Sequence, residues 1–220
     1  MELRVVACLS QDEFLCEVYR KGGDLHGEVA ARLYGPDYTH DERAMSKRLV
    51  FGWLYGGEVV HIAGKLGMNP QAAAEIGAAW EEALAGVTRW RKEQKRLVTE
   101  RGYVLSYFGR RRRFPVLTDE NIGEVLREAV NFPVQSTASD ILLQAQALVW
   151  RELQGRPGRP QIIMNIHDAL VVEVAEEEAE RIASLTCQWF SDVAEGAFHQ
   201  QLPFPAEGSV GKSLADFLGK

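Results

Sequence analysis

The sequence lacks long apolar runs, internal repeats and paired cysteines. No stretch approaches the roughly 18 apolar residues that a membrane-spanning helix needs, and no signal-peptide pattern opens the chain. The three cysteines, Cys8, Cys16 and Cys187, are odd in number and show no C-x-x-C spacing. These absences argue against a membrane protein, a disulfide framework and a zinc site. They predict reduced thiols in a cytoplasmic protein.

The negative charge of the chain is unevenly distributed. The 220 residues carry a formal net charge of −6, which by itself disfavours a nucleic-acid partner. The segment from Arg89 to Arg113, however, holds ten lysines and arginines against two acids, Glu93 and Glu100. A basic band in an acidic protein can still hold a phosphate backbone. The sequence therefore predicts binding of duplex phosphates along this band, with a solvated helix face as the alternative.

One stretch combines cations and aromatic rings at helical spacing. Its members follow one another in steps of four, so that they share one face of a helix: Arg43, Lys47, Phe51 and Tyr55. Thr39 and Glu42 form an expected capping box before it, and Gly56-Gly57 ends it. Two cations followed by two rings suit a ligand with phosphates at one end and a flat base at the other. An amphipathic helix with a charged flank has the same spacing.

Helical patterns cover most of the remaining chain. The expected helices span about residues 2–9, 11–19, 25–34, 41–56, 70–85, 87–101, 121–131, 136–150 and 176–198, with one more beginning near Val59. Ser10 and Glu13 are expected to form a capping box, and Pro133 is expected to separate two helices. Residues 102–109 and 161–174 have β patterns, the second a hairpin with His167 and Asp168 at its turn.

Six short motifs follow one another along the chain. They are Glu2-Leu3-Arg4-Val5, Asp24-Leu25-His26, the stretch from Arg43 to Gly56, Tyr103 with Phe108-Gly109-Arg110-Arg111-Arg112, Arg127-x3-Asn131-x-Pro133-Val134-Gln135, and Ile166-His167-Asp168. In this order they resemble motifs A, B and C and the intervening signatures of family A DNA polymerases, the bacterial polymerase I type. The resemblance implies an α+β, predominantly helical fold: helical fingers plus part of the antiparallel-sheet palm of a right-hand polymerase. It places palm segments at 1–23 and 127–220 and the fingers at 24–126.

The resemblance implies template-directed DNA synthesis, in which a dNTP is transferred to a primer 3′-OH with the help of two Mg²⁺ ions. The expected partners are primer-template DNA and dNTPs, in a bacterial or phage-infected cell. The implied catalytic residues are Asp168, which also binds metal, with Lys47, Arg43 and Tyr55. The implied nucleotide-binding residues are Glu2, as a gate against the ribose 2′-hydroxyl, with His26, Arg43, Lys47, Phe51 and Tyr55. The implied DNA-binding residues are Arg110, Arg111, Arg112, Arg127, Asn131, Gln135 and His167.

The sequence departs from the family pattern at two places. Ala169 stands where motif C usually has Glu, and Met1 stands at the hydrophobic position of motif A, four residues after the usual metal-bridging Asp. We therefore expect no nucleotide transfer by this chain alone. The hypothesis is a split polymerase, with a second polypeptide supplying the N-terminal palm, the thumb and the motif A Asp. The alternatives are a non-catalytic remnant that binds DNA or nucleotide, a truncated longer chain, and a fragment of a single-subunit RNA polymerase. Glu2 and the Arg110–Arg112 run favour DNA over RNA synthesis.

Overall fold

A computed structural model describes residues 1–58, 61, 62, 64, 67, 69–156, 158 and 160–217. The chain divides into two compact units, Glu2–Thr137 and Ala138–Lys220, the latter joined by Met1. Helices make up most of the described residues, and the strands form two separate two-stranded antiparallel sheets. The predicted α+β, mostly helical class is therefore confirmed. Within the described residues, no helix is long and apolar enough to cross a membrane.

The first unit consists of consecutive helices followed by a short hairpin. Its elements are α1 (Glu2–Ser10), α2 (Glu13–Arg20), α3 (Leu25–Tyr34), α4 (His40–Leu54), α5 (Pro70–Ala83), α6 (Ala85–Arg101), β1 (Tyr103–Leu105), β2 (Arg111–Arg113) and the beginning of α7 (Ile122–Leu153). These bounds agree with the predicted helices to within a few residues, apart from α7. The start of the helix predicted near Val59 lies outside the described residues.

The residue that caps α2 is Asp12, so the predicted capping box of Ser10 and Glu13 is wrong. Asp12 Oδ1 accepts the backbone N–H of Leu15 at 3.1 Å. Its Oδ2 accepts the N–H groups of Gly86 and Val87, at 2.8 and 3.2 Å, in the first turn of α6. A carboxylate satisfies these otherwise unpaired helix-end donors. Asp12 thus ties together two helices that are far apart in sequence.

The helix α7 continues through Pro133, contrary to the predicted break. A proline in a helix interior loses one backbone hydrogen bond and costs about 3 kcal/mol. Its neighbours Ala129, Val130 and Val134 are almost completely buried, and that burial favours an unbroken helix. The hydroxyl of Thr137 donates to the Pro133 carbonyl at 2.5 Å. Tertiary packing has outweighed the local preference of proline.

The hairpin of β1 and β2 is anchored on its inner face. Tyr103 pairs with Arg113 and Leu105 with Arg111, in antiparallel register. Between them Val104 is buried, in an apolar cluster with Val98, Val125 and Ala129 of α6 and α7. Because side chains alternate along a strand, burial of Val104 leaves its neighbours on the other face.

The second unit packs a hairpin against helices. β3 (Gln161–Ile166) pairs with β4 (Ala169–Glu173), as predicted, with a register shift between Ile162 and Met164. Ile162 and Val172 pack on a cluster of Val149, Leu153 and Ile182, which come from α7 and α8 (Ala179–Ala197). The predicted final helix is confirmed, although Glu176–Glu178 form a short 3-10 turn before it.

Candidate functional site

The helix α4 begins with the predicted capping box. The Thr39 hydroxyl accepts the Glu42 backbone N–H at 3.3 Å, and the Glu42 carboxylate accepts the Thr39 N–H at 2.7 Å. Both end donors are satisfied, and the negative charge of Glu42 is favourable at a helix N-terminus. The cap fixes where α4 starts, and so places Arg43 in its first turns and Tyr55 at its end.

A row of aromatic rings runs from α3 along α4. The His26 and Phe51 ring centroids are 5.6 Å apart, and those of Phe51 and Tyr55 are 6.3 Å apart with nearly parallel planes. The Tyr55 hydroxyl donates to the carboxylate of Glu2 on α1. Four of the predicted nucleotide-binding residues, from three helices, are therefore brought together. Separations of this size are typical of favourable aromatic pairs.

The Tyr55 hydroxyl remains a proton donor over the whole physiological range. Partial burial, together with the neighbouring Glu2 carboxylate, raises the pKa of Tyr55 to about 12. Both effects disfavour a negative phenolate. The contact therefore joins a neutral hydroxyl to a carboxylate, in the stronger class of hydrogen bonds.

Arg43, one of the two cations of α4, forms an ion pair with Asp24. Asp24 Oδ2 lies 2.7 Å from both Nε and Nη2 of Arg43, while Oδ1 caps α3 by accepting the His26 N–H at 3.2 Å. Burial opposes ionisation of this carboxyl, but the hydrogen bond and charge of Arg43 outweigh it and lower the pKa of Asp24. The sequence predicted Asp24 as part of the Asp24-Leu25-His26 motif. Its pairing with Arg43 spans two helices and was missed.

His26 is a half-buried imidazole surrounded by charge. Burial lowers the pKa of His26, the cations of Lys47 and Arg43 lower it further, and Asp24 opposes them. Neutral imidazole is therefore the main form at neutral pH. Its Nδ1 is buried without a hydrogen-bond partner among the described residues. Lys47 is exposed and its charge acts on the ring, so the predicted residues offer one hydrogen-bonding ring next to an exposed cation.

The C-terminal end of α4 lies against α7. Gly56 has φ +86°, and a Cβ there would stand 2.8 Å from the Cα of Arg127. Asn131 Nδ2 donates to the Tyr55 carbonyl at 3.2 Å, and Gln135 lies exposed about one turn further along α7. The predicted DNA-binding residues of α7 therefore begin next to the predicted nucleotide-binding residues of α4.

The basic band divides into a structural and an exposed part. Arg91 is 5% exposed, donates to the Gly57 carbonyl at 2.9 Å, and lies 4.5 Å from the Trp53 ring centre. The expectation that the whole band binds phosphates is therefore wrong at Arg91. The sequence contained a signal for this burial, because Arg91 lies at helical spacing from Val87 and Val98, which are buried on the same helix. Lys95 and Arg96 pair with acids of the chain, whereas Arg110, Arg111 and Arg112 are exposed on the hairpin, Arg112 in an ion pair with Glu128.

His167 and Asp168 form the turn between β3 and β4 in the second unit. Both are exposed, and His167 adopts a left-handed conformation with φ +53°. A carboxylate at an exposed turn is a suitable oxygen ligand for Mg²⁺. Across residues 1–217, leaving out the undescribed positions, no three or more His, Cys, Asp and Glu side chains cluster in a way that could hold a metal. Asp168 is thus suited to be one metal ligand, but among the described residues it has no group of further ligands around it that would complete a metal site.

Known proteins resemble the chain over nearly its whole length. A sequence model of DNA polymerase family A matches residues 1–216. The thermostable DNA polymerase I of Thermus filiformis is 34% identical over 96% of this chain and 26% of its own length. DNA polymerase I of Chloroflexus aurantiacus is 32% identical over 88% of this chain and 21% of its own length. The chain thus spans about a quarter of the length of such relatives.

A solved structure agrees with the sequence comparison. The POL domain of Pol1 from M. smegmatis, in complex with DNA primer-template and dNTP, matches 92% of this chain and 36% of its own, with a TM-score of 0.81 and 27% identity. On the family match and these likenesses, the chain belongs to DNA polymerase family A.

Proposed function

We propose that the chain forms the fingers and the C-terminal palm of a DNA polymerase and takes part in template-directed transfer of dNTPs to a primer 3′-OH. Residues 24–126 would be the fingers, and residues 1–23 and 127–220 would belong to the palm. Family membership supports this assignment, as does the similarity to a polymerase domain that binds DNA primer-template and dNTP.

The observation that carries the proposal is the row from His26 through Phe51 and Tyr55 to Glu2, with Arg43 and Lys47 on the same helix. The two cations would bind the triphosphate through charge-assisted hydrogen bonds. The rings would frame the sugar and base, and Glu2 would crowd the 2′ position. Phosphoryl transfer depends mainly on such positioning and charge, since the protein forms no covalent bond to the phosphate.

The DNA would be held by residues outside this row. Arg110, Arg111 and Arg112 are exposed and would contact phosphates without regard to sequence. Arg127, Asn131, Gln135 and His167 would follow the primer terminus and the template. The position of Asn131 supports this role, because its side chain donates to the backbone carbonyl of Tyr55 and so lies next to the proposed nucleotide site.

Asp168 would be one ligand of the Mg²⁺ ions that this family's chemistry calls for. When bound, two such ions stabilise the charge on the attacking and leaving oxygens. Because Asp168 has no partner carboxylates that complete a site within the described residues, the proposal requires a further carboxylate. We propose that a second polypeptide, with the N-terminal palm, the thumb and the motif A Asp, supplies it.

Primer extension with Mg²⁺ and the four dNTPs tests the proposal. Three samples are compared: the chain alone, the chain with a polypeptide that ends just after the motif A Asp of a relative, and the same mixture with Asp168→Asn. Extension by the intact mixture, lost in the Asp168→Asn mixture, is the expected result.

Two other results would contradict parts of the proposal. Extension by the chain alone would show that no second carboxylate is needed from outside. DNA binding without extension in any mixture would favour a non-catalytic polymerase remnant. A matched variant, Asp119→Asn, removes one exposed carboxylate of the first unit and should leave extension unchanged.

A further inference from the structure

The turn of the β1–β2 hairpin exposes two aromatic rings. Tyr107 and Phe108 are 44% and 40% exposed, and their rings meet edge to face with centroids 5.4 Å apart. Leu105, just before them, is 44% exposed. Large apolar side chains grouped on a surface indicate a contact surface, whereas single ones do not. The proposed polymerase residues include neither ring.

The turn that carries the rings is held rigidly. Ser106 is buried; its N–H donates to the Arg110 carbonyl at 2.9 Å, and its hydroxyl accepts the Arg110 N–H at 3.1 Å. The Tyr107 N–H donates to the hydroxyl of Thr137, a fully buried residue of α7, at 3.0 Å. Gly109 closes the turn with φ +82°. The exposed rings therefore stand on a fixed backbone, which lowers the entropy lost on binding.

The surroundings of the rings are strongly basic. Residues 103–113, here called the arginine hairpin, contain four arginines and no acidic residue. Strand alternation and the observed register put Tyr103, Leu105, Arg111 and Arg113 on the face opposite the buried Val104. The Arg111 guanidinium lies 4.4 Å from the centre of the Tyr103 ring. Rings and cations are thus interleaved on one surface.

We propose that the arginine hairpin binds unpaired nucleotides of single-stranded DNA, with bases stacked on Tyr107 and Phe108 and phosphates held by the arginines. Aromatic platforms within a basic surface are the usual means of binding single strands. A duplex cannot use the rings in this way, because its base faces are covered by neighbouring bases. Charge complementarity favours a polyanion over a protein, since residues 103–113 carry four arginines and no acidic residue; Arg112 pairs with Glu128 of α7.

This inference extends the DNA-binding role proposed above, but its observations belong to the hairpin alone. Binding of duplex phosphates would need only exposed cations, and binding of dNTPs would need only the row of rings and cations along α4. The hairpin adds a site for a strand whose bases are free, such as template that has not yet been copied. Binding there would not depend on Asp168 or on a second polypeptide.

Fluorescence anisotropy of the full chain with labelled oligonucleotides tests the inference. The probes are an oligothymidylate of about 12 nucleotides, an abasic oligodeoxyribose phosphate of the same length, and a blunt duplex. The variants are Tyr107→Ala with Phe108→Ala, the conservative Phe108→Trp, and Trp150→Ala, which removes a 56% exposed ring elsewhere.

We expect the double alanine variant to bind oligothymidylate at least about tenfold more weakly, because bases lose the rings on which they stack. The abasic strand and the duplex should bind the variant as they bind the unaltered chain. Phe108→Trp and Trp150→Ala should retain the affinity for oligothymidylate.

The inference is overturned if the unaltered chain binds the abasic strand as tightly as oligothymidylate, or if the double variant loses nothing. An equal loss on all three probes also overturns it, because the rings would then contribute to binding without contacting unpaired bases. Failure of primer extension with stacking intact would refute only the proposed polymerase function.

Discussion

Asp24 forms an ion pair with Arg43, in which one carboxylate oxygen lies 2.7 Å from each of two nitrogens of the guanidinium. Arg43 is also the cation that stands first along α4, where a triphosphate is proposed to bind. In the nucleotide-free chain an internal anion therefore contacts the guanidinium to which the phosphate is proposed to bind. Asp24 and a triphosphate should compete for the same donors.

Asp24→Asn should tighten triphosphate binding by about three- to tenfold, because a charge-assisted pair is removed from the free state. Asn caps helices about as well as Asp, so α3 should remain intact. Titration calorimetry with dTTP measures the change. Thymidine, which has no phosphates, should show no difference between the two proteins.

The matched control for this variant is Asp37→Asn, which removes the same charge from an exposed loop position. It should leave dTTP affinity within about twofold. Weaker dTTP binding by Asp24→Asn would mean that Asp24 positions Arg43 for the phosphate and does not compete with it.

Gly56→Ala should destabilise the first unit by about 2–3 kcal/mol. A residue other than glycine is strained at φ +86°, and its Cβ would stand 2.8 Å from the Arg127 Cα. Gly35→Ala is the control, because Gly35 has φ +94° but nothing within 4 Å of the added carbon. Urea unfolding should show a loss of about 1 kcal/mol for Gly35→Ala. Equal losses would show that contact with α7 does not matter.

Arg91→Ala should reduce stability without acting through DNA. Its guanidinium holds the Gly57 carbonyl and stacks on Trp53, and together these contacts contribute about 2–3 kcal/mol. Arg89→Ala, an exposed change two residues earlier, should cost less than about 0.5 kcal/mol. Thermal unfolding of the two variants at the same salt concentration distinguishes them. Similar midpoints would contradict the structural role of Arg91.

His26 should make the stability of the first unit depend on pH. Since burial lowers its pKa below the ordinary 6.5, the folded chain binds fewer protons than the unfolded chain. The contribution is complete above pH 6.5 and is lost as the pH falls through the lowered value. In His26→Gln the midpoint of unfolding should change less with pH between about pH 7.5 and 5 than it does in the unaltered chain. His40→Gln, at a histidine 91% exposed, should leave the pH dependence unchanged.

Local sequence patterns predicted much of this protein. The capping box of Thr39 and Glu42, the spacing of α4 and the hairpin around Asp168 depend on neighbours within a few residues, so each could be recognised directly. The order of motifs was enough to predict the family, which the match to residues 1–216 confirms. The roles of the individual site residues stay predictions.

Contacts between distant segments decided the rest. Asp12 bonds Gly86, Asp24 pairs with Arg43, and Arg91 reaches Gly57, each across separations that no local pattern encodes. Pro133 lies within one helix because burial of its neighbours outweighs a local cost. By itself the sequence determined the family and most of the helices. Only the tertiary structure decided which charges are paired or buried, because pairing and burial depend on which helices meet.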